Sequence, residues 1–469
     1  MMFQRFALLT VSTALAAAGA LAESPGAGAP EIPERWAWEP AHIQQAPEVS
    51  DKWWRQFADP VLDSLVTLGM ERNYNLEIAH RRSEMARAAI GQARSGWMPS
   101  VGLDLGWSRS RSSGALGKGK SYRPEPASFF NAGLSASWEI DIFGKVAAGV
   151  SEKKAEYRAS RAEYAGTMVS LAAQIASTYI TLRQYQQQYA IATAHSERQM
   201  KTVKIAEARF ETTLASKLDV AQAWGTYYST QASVPMLRNS IRRAINALAI
   251  LVGEYPQAVE AWLSAPGPLP ESREEVAMGV PADLLRRRPD IAKAEAELAA
   301  AAAQAGIAKK EFLPTFTLNG SIGTSAREFS NLFTSDSFTY EIAPTLSWTL
   351  FDGLNRKYAV QSARENLEAS AASYQLTVMT AVQEADNAIS TYYSSLEQQG
   401  IIQKVIEQNN EALTLALDRY KNSLSPMSDV ITAQLNALSS ENNLVTAKAT
   451  SLQALVSLYE ALGGGYNEE

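Results

Sequence analysis

Few side chains in this 469-residue sequence are placed to do covalent chemistry. The three histidines, His42, His80 and His195, are far apart and show no metal-ligand spacing. There is no cysteine, which removes thiol chemistry and cysteine-held metals. No G-x-S-x-G, phosphate loop or dinucleotide fingerprint occurs. No catalytic residue, metal site or cofactor is therefore expected. What the chain does carry is a constellation written twice. Arg209-Phe210, Leu214 and Asp219-Val220 recur as Arg419-Tyr420, Leu424 and Asp429-Val430, each 210 residues on. Carboxylates at such positions have two physical uses. They cap helices, or, gathered around an opening by several copies of the chain, they favour cations and repel anions.

The elements that position these residues are also duplicated. Trp138 recurs as Trp348 and Gly253 as Gly463 at the same offset of 210, and Trp97-Met98-Pro99 recurs slightly out of step as Phe312-Leu313-Pro314. Between Pro126 and Pro235, between Pro344 and Pro426, and from Pro426 to the end there is no proline, and these runs are rich in good helix formers. Apolar residues keep a 3–4 spacing in Met168, Leu171, Ile175, Leu182 and Tyr189, and again in Tyr374, Val378, Ala381, Ala385 and Tyr392. That is a coiled-coil seam. Helices from about 146 to 212 and 354 to 422 are each expected to be on the order of 100 Å long. They cannot wrap a compact core and must lie side by side, with the many Ala, Ser, Thr and Gln of the seams partly facing water. The turns fall at Thr212–Ser216 and Asn422–Pro426, and Gly463–Gly465 stops the last helix.

Ahead of each long helix lie two alternating segments. Val101, Leu103, Leu105 and Trp107 alternate with small or polar residues, as do Leu134, Ala136, Trp138 and Ile140. The second copy repeats this with Phe316, Leu318 and Ile322, then Ile342, Leu346 and Trp348. Strands of about 9–11 residues span a bilayer at a tilt. Trp97, Trp138 and Trp348 near one end, and Phe129, Phe130, Phe338 and Tyr340 near the other, read as interfacial girdles. Four strands cannot close a barrel, and an open edge is forbidden in lipid, so several chains must share one barrel. The fold class is mainly α with a transmembrane β-barrel.

The address agrees. Residues 1–22 read as a signal peptide, with Arg5, the apolar run Phe6–Ala18 and the cleavage site Ala20-Leu21-Ala22. Without a cysteine after that site no lipid anchor is expected, so the barrel must hold the protein in a Gram-negative outer membrane. The net charge of −6 and the lack of a basic stripe argue against nucleic acid. The expected division is 23–98 for the N-terminal segment and first helices, 99–140 for two strands and 141–253 for a helical hairpin. An equatorial linker at 254–285 leads to the second copy: 286–313 a helix, 314–350 two strands, 351–462 a hairpin and 463–469 a tail.

One stretch carries a resemblance. Arg286-Arg287-Arg288-Pro289-Asp290-Ile291, Ala294-Glu295, Gly306-Ile307-Ala308 and Phe312-Leu313-Pro314 resemble the signature of the outer-membrane efflux proteins. These are TolC-like, and this chain looks closest to their OprM/NodT branch. Trp138–Gly144, Arg419-Tyr420, Asp429-Val430 and the ending Ala461–Gly465 agree, and the likeness runs from about Trp53 onward. It implies a homotrimer with a 12-stranded barrel and a long periplasmic α-helical barrel. It also implies an equatorial belt, a periplasmic adaptor (membrane fusion) protein, and an inner-membrane transporter of the resistance-nodulation-division type. Barrel lipid is then the remaining partner.

By the same resemblance the hairpin turns form the closed periplasmic gate. Asp219 and Asp429 fall on its acidic positions and Tyr420 on a linking tyrosine. Thr432 replaces a common aspartate, Leu435 an arginine, and Ser425 a linking arginine, so the gate is expected to be looser or held by other contacts. Arg288, Pro289 and Asp290 are expected to be structural, with Asp290 as an N-cap, and Gly144 and Gly353 to be backbone requirements. The alternatives are an exit duct for a type I secreted protein, or a secreted coiled-coil structural protein; the latter leaves the four strands unexplained.

Overall fold

The computed structural model describes residues 52–113, 125–271 and 288–464. The expected signal peptide, part of the equatorial linker and the tail beyond 464 lie outside the described residues. Each copy runs helix, two strands, long helical hairpin. In the first these are α1 (Pro60–Arg72), α2 (Tyr74–Ser95), β1 (Ser100–Ser110), β2 (Ala127–Ile140), α3 (Lys145–Glu211) and α4 (Lys217–Leu251). After α5 (Pro256–Leu263), the second has α6 (Pro289–Lys310), β3 (Thr315–Ala326), β4 (Phe338–Ser347), α7 (Asn355–Lys421) and α8 (Met427–Ala461).

The long helices α3 and α7 have 67 residues each, about 100 Å at 1.5 Å per residue. Helix α4 continues through Pro235, although proline removes a backbone donor there and usually breaks a helix interior. Each hairpin packs its two helices together, and α8 also lies along α3, joining the copies. Part of the polar complement of the seams is internal rather than wet. Gln434 Nε2 donates to Thr202 Oγ1 at 2.8 Å, Gln453 Nε2 to Thr181 Oγ1 at 3.0 Å, and buried His195 shares a 3.0 Å hydrogen bond with Glu441.

The main apolar core sits where the N-terminal segment and α5 meet the middle of the hairpins. Trp53, Leu62 and Leu65 pack there with Ile175, Tyr179 and Leu182 of α3, Leu248 of α4 and Leu455 and Leu458 of α8. Trp53 stacks on Tyr459, centroids 5.4 Å apart. Arg183, buried on α3, donates to Tyr179 Oη (2.9 Å), Gln186 Oε1 (2.8 Å) and the Ala265 carbonyl (2.9 Å), so the segment after α5 is tied to the long helix.

The start of the second copy corrects one expectation. Pro289 is the first residue of α6 and Arg288 is its N-cap, so Asp290 lies inside the first turn rather than at the cap. Proline, with φ already helical and no N–H to satisfy, suits that first position, and the helix begins two residues earlier than a capping Asp290 requires. Arg288 is buried and donates to both Asp290 oxygens (3.0 and 2.8 Å), to Glu384 of α7 (2.6 Å) and to the Ala461 carbonyl ending α8 (2.7 Å). The first copy makes the same junction with a different residue. Asn73 caps α2 by accepting from Leu76 N–H (3.0 Å) and donates to the Leu251 carbonyl (2.8 Å), 210 residues before Ala461.

Candidate functional site

The four strands form one antiparallel sheet in the order β1-β2-β3-β4, so β2 and β3 join the two copies and β1 and β4 are its edges. Register decides what each face carries. Leu103 stands opposite Leu134, Leu134 opposite Ile322, and Ile322 opposite Tyr340. Leu318 pairs with Trp138, and Leu346 lies across Phe316 from Ile140. Because paired residues share a face, the apolar positions of all four strands fall on one side. That side is bare in the single chain, with Leu103 67% and Ile342 74% exposed. The other face is polar and cross-linked: Ser135 Oγ donates to Asp104 (2.6 Å), Ser137 Oγ to Asn319 (2.8 Å) and Ser325 Oγ to Asn131 (2.8 Å).

The aromatic residues sit at the two ends of the apolar face. At the helix end Trp138 Nε1 donates to the Trp97 carbonyl and Trp348 Nε1 to the Phe312 carbonyl, each at 3.0 Å. The two copies thus lock their strand ends with the same bond. At the far end Phe130 packs against Trp107 (6.4 Å) and Phe329 (5.7 Å), and Phe338 against Tyr340 (6.2 Å). Phe129 is the exception. It pairs with Ser108 on the polar face, with Arg327 over its ring, so it does not belong to the girdle. Period-two alternation puts neighbouring residues on opposite faces, so Phe129 and Phe130 cannot both point outward.

Below the sheet each copy passes from strand to long helix through left-handed backbone, at Gly144 in the first and at Gly353 and Leu354 in the second. Gly144 (φ +70°) caps α3, and Gly353 (φ +68°) precedes α7, conformations that glycine adopts without strain. Lys310 Nζ donates to the Gly144 carbonyl (2.6 Å), so α6 holds the first strand-to-helix junction in place.

At the opposite ends of the hairpins lie the turns. Their backbones are near copies: Thr213 (φ +62°) and Ser423 (φ +61°) hold the same left-handed position. Leu214 N–H donates to the Arg209 carbonyl at 2.8 Å, and Leu424 N–H to the Arg419 carbonyl at 2.8 Å. The side chains differ. Ser216 and Asp219 form a capping box on α4: Asp219 N–H donates to Ser216 Oγ (3.2 Å) and Ser216 N–H to Asp219 Oδ2 (2.9 Å). Helix α8 has Pro426 at the cap and no side-chain cap bond, which leaves the exposed Asp429 carboxylate uncommitted. Thr432, also exposed, donates back to the Ser428 carbonyl (2.8 Å).

Tyr420 is buried between the hairpins with Val203, Ala206, Ala223, Met427 and Val430. Burial raises its phenol above the ordinary value, the Asp219 carboxylate adds to this, and the Arg209 guanidinium opposes it. Among the described residues its hydroxyl has no hydrogen-bond partner, nor do Ser425 Oγ and Arg209 Nε. Arg209 is the residue whose role the sequence did not announce. It lies over the Tyr420 ring at 5.0 Å and donates to the Lys421 carbonyl and to Ser423 Oγ, both at 2.6 Å, tying the first hairpin to the second turn. Its place in the repeat was visible; its partners, 212 and 214 residues away, were not.

A bare apolar sheet face with aromatic ends, carried on paired helices far too long for a globular core, defines a membrane-inserted channel protomer. Residues 65–254 and 280–464 match the model of the outer membrane efflux protein family, and the chain belongs to that family. It is 29% identical to Nodulation protein T of Rhizobium leguminosarum bv. viciae over 93% of this chain and 89% of that one. It is 28% identical to Outer membrane protein OprJ of Pseudomonas aeruginosa, over 96% and 94%. The solved outer-membrane channel OprN superposes with a TM-score of 0.85 at 27% identity, covering 94% of this chain and 99% of that one. The protein is thus an outer membrane efflux channel of the OprM/TolC type and not an enzyme.

Proposed function

We propose that the protein is the exit duct of a tripartite efflux system in the Gram-negative outer membrane. Three copies close a 12-stranded barrel, β4 of one protomer pairing with β1 of the next, and their hairpins form a periplasmic tunnel. The barrel holds the assembly in lipid without a covalent lipid. A periplasmic adaptor and a resistance-nodulation-division transporter feed substrate from the inner membrane. The observation that carries this reading is the sheet: one largely apolar face, one polar face and two unpaired edges, which lipid tolerates only after closure with other chains. Mass measurement of the full chain in detergent should give three copies; a monodisperse, folded monomer removes the barrel and the duct with it.

The hairpin turns are the periplasmic gate in this reading. Asp429, with no cap to serve, is its main acidic ring, and Asp219 contributes less because Ser216 N–H holds its carboxylate. Tyr420 and Ser425, both with unpartnered hydroxyls, are the contacts that rearrange on opening, and Thr432 lines the same end without charge. In planar bilayers Asp429→Ala should lose most of the cation selectivity and of the block by multivalent cations on the periplasmic side. Asp219→Ala should lose less. Unchanged selectivity in the double variant would place the constriction elsewhere.

A further inference from the structure

The contact that Arg209 makes inside one chain is half of a pattern. Its repeat mate Arg419 sits at the end of α7 and is exposed, and among the described residues its guanidinium makes one hydrogen bond, to the Leu424 carbonyl of its own turn at 3.3 Å. Arg209 makes that same self-contact with the Leu214 carbonyl, at 3.4 Å, and then reaches on to the other hairpin. The groups it reaches have counterparts in the first turn at the 210-residue offset. Lys421 corresponds to Glu211, Ser423 to Thr213 and Tyr420 to Phe210.

Two further observations say that this counterpart surface lacks its neighbour in the single chain. Tyr420 is 4% exposed, whereas Phe210 at the equivalent place is 46% exposed. The residues that bury Tyr420 include Val203 and Ala206 of α3; their mates on α7 are Leu413 and Ala416, only half-buried. Thr213 adds a third. It holds the same left-handed position as Ser423 and also carries a hydroxyl, which donates to the Thr212 carbonyl (2.7 Å) and leaves its oxygen able to accept.

We propose that Arg419 links neighbouring protomers at the tip. Its guanidinium lies over the Phe210 ring of the next protomer and donates to that protomer's Glu211 carbonyl and Thr213 hydroxyl. With the Arg209 links inside each chain, this makes a ring of alternating intrachain and interchain arginine clasps around the closed end. The inference rests on the trimer proposed above. The clasps use backbone carbonyls and hydroxyls as acceptors, so they hold the turns together without consuming the Asp219 or Asp429 carboxylates.

The absence of cysteine makes the test direct. Full-length chains carrying Thr213→Cys and Arg419→Cys are treated in outer membranes with a bis-maleimide. The spacer is chosen as one that bridges the control pair Arg209→Cys and Ser423→Cys within a chain. The proposal expects covalent dimers and trimers on denaturing gels from the 213/419 pair, and bridged peptides from one chain only in the control. Single-cysteine chains should give no ladder. If the 213/419 pair yields no interchain product while the untreated protein still weighs as a trimer, the clasp is wrong and the duct stands. If the untreated protein is a monomer, both fall.

Discussion

Helices α3 and α7 have the same length and the same place in the repeat, but not the same surroundings. Among the described residues α3 buries 22 and α7 buries eight. Helices α1, α2, α4, α6 and α8 all lie against α3; among the described residues α7 lies mainly against α6 and α8 and meets α3 at the tip through Tyr420. Along α7, Leu376, Met379, Ile401, Val405 and Leu415 are left exposed. The turns show the same inequality in small, with Tyr420 covered and Phe210 open. A duplicated sequence therefore does not give two equivalent halves within one chain. In the proposed trimer the second half is completed by a neighbouring protomer, and the first shows what completion looks like.

The largest expected effect tests whether the bare sheet face is a membrane face. Leu134→Arg should cost about 2–4 kcal/mol of stability near the bilayer midplane, while Ser135→Arg, one residue along and on the other face, should be mild. Urea unfolding of the barrel in lipid vesicles measures both; equal costs would make the sheet an ordinary soluble one.

The next comparison sets the two junctions against each other. Arg288→Ala removes charge-assisted bonds worth about 1.5–3 kcal/mol. Its counterpart Asn73→Ala should cost about 0.5–2 kcal/mol as a lost cap. Thermal unfolding ranks them, and a larger loss at Asn73 would reverse the weight given to the signature arginine. Smaller again is the cap difference at the tip. Ser216→Ala should cost about 1 kcal/mol in the first hairpin. Pro426→Ser offers α8 the box it lacks, and by engaging Asp429 should lower cation selectivity toward that of Asp429→Ala. Selectivity unmoved by Pro426→Ser would mean that the two aspartates already behave alike.

Much of this was readable beforehand. The 210-residue echo located both turns, and alternation placed Leu103, Leu134, Leu318 and Leu346 on one face because strand periodicity is strict. Of the two uses open to the turn aspartates, capping holds for Asp219, where Ser216-Lys217-Leu218-Asp219 spells a capping box, and not for Asp429, where Ser425-Pro426 precedes it. Asp290 was misplaced because two adjacent residues, Pro289 and Asp290, both signal a helix start and only one can come first. The reach of Arg209 to Lys421 and Ser423, and of Arg288 to Ala461, depends on how distant segments dock, which local pattern does not encode.

The two unpaired edges of the sheet also constrain how the protein comes into being. A lone protomer in the periplasm displays β1 and β4 as ready templates for foreign strands, beside an apolar face with nothing to cover it. Such a species is prone to aggregate at a rate that rises with concentration. In the trimer proposed above, barrel closure and association are coupled, so that stability depends on protomer supply. On that reading the newly exported chain needs shielding until its siblings arrive.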